Sequence, residues 1–231
     1  MSFELLSAEH VRRRRLLALI GAGLSLPAVL REAGAQQLIP AAQGVRQLKG
    51  DVRINGRPAT EGAAVRPGDV VSTGRNAYAM FVVGADAYLM RENGRAELGG
   101  KELFVDALRL LTGKLLGVFG GRRDRRELNT GTVTIGIRGT GGYLEAYPDR
   151  KLSYFCLCYG TADIAPMGRG DTREVYSSVY HEAPRYIWGD GRSQAIERAP
   201  VINHSDSELM MLEALVARTP PQTFIESTGR Y

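Results

Sequence analysis

Through the middle of this chain, short segments of alternating apolar and polar residues recur roughly every 8–12 residues, with glycine, asparagine or aspartate at each break. Alternation of period two marks strands with one face on a core, because successive side chains on a strand point to opposite sides. Val52 and Ile54 alternate with polar residues ahead of Asn55-Gly56, a pair suited to the positive φ angles of a tight hairpin turn. Val70-Val71, Tyr78 to Val83, Ala87 to Met90 and Ala96 to Leu98 read as further strands. Leu103 to Leu111 matches both the strand and the helix period, and its surroundings favour a strand. The clearest strand is Thr132 to Ile137, with Val133, Ile135 and Ile137 facing a core and Thr132, Thr134 and Gly136 facing outward. The predicted fold is mainly β, a sandwich or roll of short antiparallel strands with a C-terminal amphipathic helix.

Beyond Tyr147-Pro148-Asp149 the segments become longer and more aromatic: Ser153 to Tyr159, Glu174 to Tyr180 and Arg185 to Gly191. They predict either a second small sheet or an extension of the first. A helix near 205–217 follows. Ser205 and Glu208 form a capping box, Leu209, Leu212, Leu215 and Val216 share one face, and Pro220-Pro221 stops it.

Ahead of the strands, Arg12 to Arg15 precede the apolar stretch Leu16 to Leu30, and Ala33-Gly34-Ala35 offers a small-residue cleavage site. That order is the order of an export signal. The arginine cluster before Leu16-Leu17 resembles a twin-arginine leader, and a general secretory route stays open. A membrane span needs about 20 apolar residues, and this stretch is shorter and carries Gly21, Gly23, Ser25 and Pro27. No permanent anchor is expected after cleavage, and the expected compartment is the periplasm. The implied organisation is an export signal over 1–35, a β-domain over 36–147 and a C-terminal β extension over 148–231.

Of 30 Lys and Arg and 25 Asp and Glu, five arginines and three glutamates lie in the leader, leaving 25 against 22. So small a positive excess calls for no nucleic acid. One basic cluster, Gly120 to Glu127, reads as a solvated hairpin loop or as a contact for an anionic partner.

From about Val45 to Glu145 the chain resembles the FecR domain. The residues that carry the resemblance are V-R-Q-L-K-G-D-V-R-I-N-G from Val45, R-P-G-D-V-V-S-T-G from Arg66, L-L-T-G-K-L-L-G-V from Leu110, and L-N-T-G-T-V-T-I-G-I-R-G-T from Leu128. The resemblance implies an all-β periplasmic module that senses or relays by contacting another envelope protein. Family regulators carry a cytoplasmic domain before a membrane helix, whereas eleven residues precede the arginines here. Direct control of a sigma factor is therefore not expected. Gly68, Gly139, Gly141 and Gly142 are expected to permit backbone angles closed to other residues, and Asp69 and Thr73 to bond to amides within their turn.

The common catalytic patterns are missing. His181-Glu182 opens like a zinc-protease helix, but Pro184 breaks it and Arg185 stands where the second histidine belongs. One constellation survives: Cys156, Cys158, His181 and His204, all in the C-terminal third. Two residues apart on a strand, the cysteines share a face with Cα atoms roughly 6.5–7 Å apart, near the limit for a disulfide. Two thiolates and two imidazoles suit tetrahedral zinc or another thiophilic metal, with Asp206 expected to orient His204. The alternatives are small core side chains, or a cysteine nucleophile with a histidine base. A non-enzymatic sensing or interaction module is the primary functional expectation, and a metal-binding or redox protein is the alternative. A third reading, a carbohydrate- or peptidoglycan-binding β-module, would use Tyr78, Tyr88, Tyr143 and Trp188 as stacking faces.

Overall fold

The computed structural model describes residues 43–102, 104–120, 126–169 and 172–228. The expected export signal and its cleavage site, and most of the basic cluster, lie outside the described residues. Fourteen strands join in one sheet: Gly44–Lys49 (β1), Val52–Ile54 (β2), Arg57–Pro58 (β3), Val70–Thr73 (β4), Tyr78–Val83 (β5), Asp86–Met90 (β6), Arg95–Lys101 (β7), Phe104–Val118 (β8), Arg126–Asn129 (β9), Val133–Tyr147 (β10), Leu152–Pro166 (β11), Glu174–Ser178 (β12), Arg185–Trp188 (β13) and Ile196–Arg198 (β14). Helix α1, Asp206–Leu215, and the short α2, Gln222–Ile225, follow. The mainly β expectation holds. The aromatic segments extend the first sheet instead of forming a second one.

Three strands are longer than expected. β8, β10 and β11 have 15 residues each, and each contains a glycine of positive φ near its middle: Gly113 (φ 89), Gly139 (φ 56) and Gly160 (φ 103). A Cβ at Gly160 would stand 2.5 Å from Thr140 Cγ2, and one at Gly113 2.5 Å from Gly94 Cα. Only glycine meets both the angle and the space. Pairing partners change on either side of these points. Thr134 to Ile137 of β10 pair with β9, whereas Gly141 to Ala146 pair with Gly113 to Val118 of β8. β11 pairs with β13 through Leu152 to Phe155 and with β12 through Gly160 to Ile164. The sheet thus folds over itself into two layers. β8 and β9 run parallel, the one exception among these antiparallel pairings.

Between the layers, Val71, Leu98, Leu108, Leu128, Ile135 and Ile164 form one buried cluster with Phe81, Tyr88, Met90, Leu115, Leu144 and Phe155. The second layer is buried on its outer face too. There Met80, Val82, Leu89, Leu116, Val118, Tyr143, Tyr154, Cys156 and Cys158 cluster with Leu209, Leu212 and Phe224 of the C-terminal segment. Strands covered on both faces read as continuous apolar runs, which is why β5 and β6 are almost wholly buried.

Several local expectations need correction. Thr132 and Gly136 do not face solvent: Thr132 is 5% exposed and donates to Ser153 Oγ at 2.7 Å, and Gly136 is buried. Asp69 does accept from Arg66 N within its turn (2.7 Å), but Thr73 bonds across to Gly94 N and Arg91 O. Gly141 has no positive φ, and its need for glycine is spatial. A Cβ there would meet the Tyr159 ring at 2.7 Å and Leu209 Cδ1 at 2.9 Å, so its bareness lets α1 settle on the sheet. The capping box at Ser205 and Glu208 forms, but the helix ends at Leu215, before the prolines, where Ala217 turns to φ 52. Arg126 of the basic cluster is buried against Asp86 instead of solvated.

Candidate metal centre

Alternation along β11 sends Phe155 and Leu157 into the inter-layer core and Cys156 and Cys158 onto the outer face. Both cysteines are free thiols with 0% exposure. His181 follows β12 in left-handed backbone (φ 50), a conformation histidine adopts more readily than most residues. Its amide donates to Cys158 O at 3.0 Å, which seats it against β11. His204 arrives from the opposite side, in the segment leading to α1, with its ring stacked on Tyr143 at 4.5 Å between centroids.

The four candidate ligand atoms lie within 4.8 Å of one another. Cys156 Sγ is 3.5 Å from His181 Nδ1, Cys158 Sγ is 3.6 Å from His204 Nε2, and the two ring nitrogens are 3.1 Å apart. Zinc bonds of about 2.3 Å to sulfur and about 2.0–2.1 Å to nitrogen, at tetrahedral angles, place S and N about 3.5 Å apart and two nitrogens about 3.3 Å apart. The three contacts given above, two S–N and one N–N, match the corresponding edges of such a tetrahedron.

The outward nitrogens are held as well. His204 Nδ1 lies 2.7 Å from Ile202 O, and a carbonyl can only accept, so this nitrogen carries hydrogen. His181 Nε2 lies 2.9 Å from Asp206 Oδ1, and Asp206 Oδ2 accepts from Tyr180 Oη at 2.6 Å. Asp206 therefore orients His181 and not His204 as expected. In neutral rings both inward nitrogens are then lone-pair acceptors facing each other and two sulfurs. Without a cation, the donors within reach are the thiol hydrogens of Cys156, 3.5 Å from His181 Nδ1, and Cys158, 3.6 Å from His204 Nε2. Burial works against a charge on Cys156, but hydrogen bonds from Cys158, His181 and His204 hold its thiol well below the ordinary range. Burial pushes Cys158 well up, and the neighbouring Cys156 adds to this. Burial pulls His181 down, yet Cys156 and Asp206 more than reverse it. The shifts on Cys156 and His181 run in opposite directions, each favouring the charged form of its group beside the other.

Sequence reasoning missed the frame around His204. Glu145, fully buried, accepts from Tyr143 Oη at 2.6 Å, from Tyr147 Oη and from Asn203 Nδ2 at 2.8 Å, while Arg91 donates to Asn203 O at 2.8 Å. Nothing local in the sequence joins Glu145 to Asn203, 58 residues apart. Of the aromatic faces named for stacking, Tyr88 and Tyr143 are in the core and Arg192 sits 3.5 Å over Trp188, while Tyr78 is half-buried. An open cleft of about 460 Å³ beside α1 is lined by Lys49, Tyr78, Leu89, Arg91 and Met211 among others, and by none of the four candidate ligands.

Fold and cluster together define a mainly β protein with two cysteines and two histidines gathered between a sheet face and a C-terminal cap. No family model matches the chain, and no curated protein sequence does. Among solved structures it is similar to two crystal structures of a proposed anti-sigma factor from Parabacteroides distasonis ATCC 8503. The one at 2.50 Å resolution has a TM-score of 0.47 and 7% identity over 56% of this chain. The one at 1.65 Å has a TM-score of 0.48 and 8% identity, covering 63% of this chain and 74% of that one. The match spans 58% of the length of the first. Among the described residues, no helix is long and apolar enough to cross a membrane.

Proposed function

We propose that this protein is a non-catalytic sensing or interaction module of the cell envelope that holds a thiophilic metal ion, zinc first, on Cys156, Cys158, His181 and His204. The observation that carries the metal is the pair of inward-facing histidine nitrogens, 3.1 Å apart, with their outward nitrogens fixed by Asp206 and Ile202 and a sulfur beside each. Metal-bound histidines are held in this way, with the distal N–H donating to a carboxylate or a backbone carbonyl. Four protein ligands leave no open position for substrate, as in structural zinc sites. The thiols are fully buried, which argues against a cysteine nucleophile that substrate must reach.

The periplasmic setting rests on the leader, Arg12 to Ala35, and the sensing role on the FecR resemblance from Val45 to Glu145. The partner it implies is another envelope protein. Metal analysis of the purified full chain tests the site, with one zinc per chain expected. Cobalt substitution is expected to give the spectrum of a tetrahedral sulfur-nitrogen site, lost in Cys156→Ser. The metal reading fails if no zinc, copper or iron accompanies the protein and Cys156→Ser behaves as wild type. Cleavage near Ala35 and partner contact are read by the intact mass of envelope-purified protein and by crosslinking in cells.

A further inference from the structure

The four candidate ligands do not all travel with one body. Cys156 and Cys158 sit on β11, and His181 is tied to β11 through its own amide. His204 belongs to the cap, residues 199–228, as does Asp206, which orients His181. Among the described residues the cap contributes no strand to the sheet; its nearest pairing is β14, just before it. It is seated by side chains: Leu209, Leu212 and Phe224 on the outer sheet face, Arg91 on Glu208, Glu145 on Asn203, and Tyr154 Oη on Pro200 O. Apart from Ala199 N, which donates to Pro184 O at 2.8 Å beside β14, the segment makes no backbone–backbone bond to the sheet among the described residues, and segments held this way are the ones that open locally before the rest of a fold does.

We infer that the metal is the fastening between cap and sheet, so that metal occupancy sets how often the cap opens. This rests on the metal reading above. Opening the cap removes one ligand, His204, and the carboxylate that aligns another, and leaves three ligands on the sheet. Losing an orienting partner alone weakens metal binding roughly 10- to 100-fold, and losing a ligand adds to that. A bound ion therefore lowers the open population by at least that factor, and anything that displaces the cap lowers metal affinity equally, because coupling between two equilibria is reciprocal. The chain thereby converts metal availability into exposure of an apolar sheet face built from Met80, Leu89, Leu116 and Tyr143.

Hydrogen exchange on the full chain, loaded with one equivalent of zinc and then stripped by a chelator, tests the fastening. The expected result is a rise of roughly 10-fold or more in exchange across residues 199–228 on zinc removal, with β8 and β10 unchanged. The reciprocal arm is Leu212→Ala, which removes none of the four candidate ligands but weakens the cap's packing on the sheet face; its zinc affinity is expected to fall several-fold. If zinc binds at one per chain and its removal leaves 199–228 within twofold, the fastening is wrong and the metal site stands. If exchange rises together across the cap and the strands, the ion supports the whole fold and the fastening is again wrong. If zinc does not bind at all, both readings fall.

Discussion

Replacing Asp206 by asparagine isolates one contact at the cluster. The carboxylate accepts from His181 Nε2 at 2.9 Å and from Tyr180 Oη at 2.6 Å, so it fixes the tautomer that turns Nδ1 inward. Asparagine keeps the shape and one acceptor oxygen but loses the charge, and its NH₂ group must face either the tyrosine hydroxyl or the imidazole N–H. Orienting partners of this kind are worth roughly 10- to 100-fold in metal affinity, or about 1.4–2.7 kcal/mol. Asp206 is also the first residue of α1, where a negative charge contributes about 0.3–1 kcal/mol through the helix dipole. The substitution should therefore cost more in zinc affinity than in metal-free stability. Competition against a chromophoric chelator measures the first quantity, and urea unfolding of the stripped protein the second. Zinc affinity within twofold of wild type would show that His181 does not bind metal through the nitrogen opposite Asp206. A loss confined to stability would make Asp206 only a capping residue.

Asp86→Ala leaves the Arg126 guanidinium, 3% exposed, without its carboxylate and Gly120 N without its 2.8 Å acceptor. Breaking one side of a buried ion pair costs about 3–5 kcal/mol; a urea-unfolding loss under 1 kcal/mol would mean that water reaches the pair. Gly160→Ala imposes a Cβ at φ 103 and 2.5 Å from Thr140 Cγ2, an unfavourable backbone angle worth about 1–3 kcal/mol before the clash is counted. A melting temperature unchanged from wild type would contradict glycine as the hinge of β11.

Local chemistry in the sequence is enough to place most strands. The Asn55-Gly56 turn, the span Tyr78 to Val83 and the Ser205–Glu208 box depend on neighbours within a few residues, and all three form. The fold of the sheet onto itself is not legible that way, because Gly113, Gly139 and Gly160 look like any strand-ending glycine until pairing on both sides shows that the strand continues. The burial of Arg126 was hidden for a similar reason: a run of arginines reads as solvated unless its partner, Asp86, 40 residues away, is known. The candidate ligands were visible as the C-terminal cysteines and histidines. Which carboxylate serves which histidine was not, because Asp206 is two residues from His204 yet reaches across to His181, 25 residues away.

The choice between ligands and plain core residues turns on what burial costs. As packing, Cys156 and Cys158 suit an apolar face, since a free thiol behaves as a small hydrophobe. The histidines do not. Each has its outward nitrogen satisfied, and the inward pair, 3.1 Å apart, sets two lone pairs against each other with only long thiol contacts of 3.5 and 3.6 Å to donate to them. A shared proton relieves the clash but then requires a thiolate to balance it beside the fully buried Cys158. A divalent ion would satisfy all four inward atoms at once, with two thiolates matching its charge, and the two S–N contacts and the N–N contact already stand near the spacings it needs. On the proposed metal reading, an ion would complete four inward donors that the fold already gathers in an otherwise well-packed core.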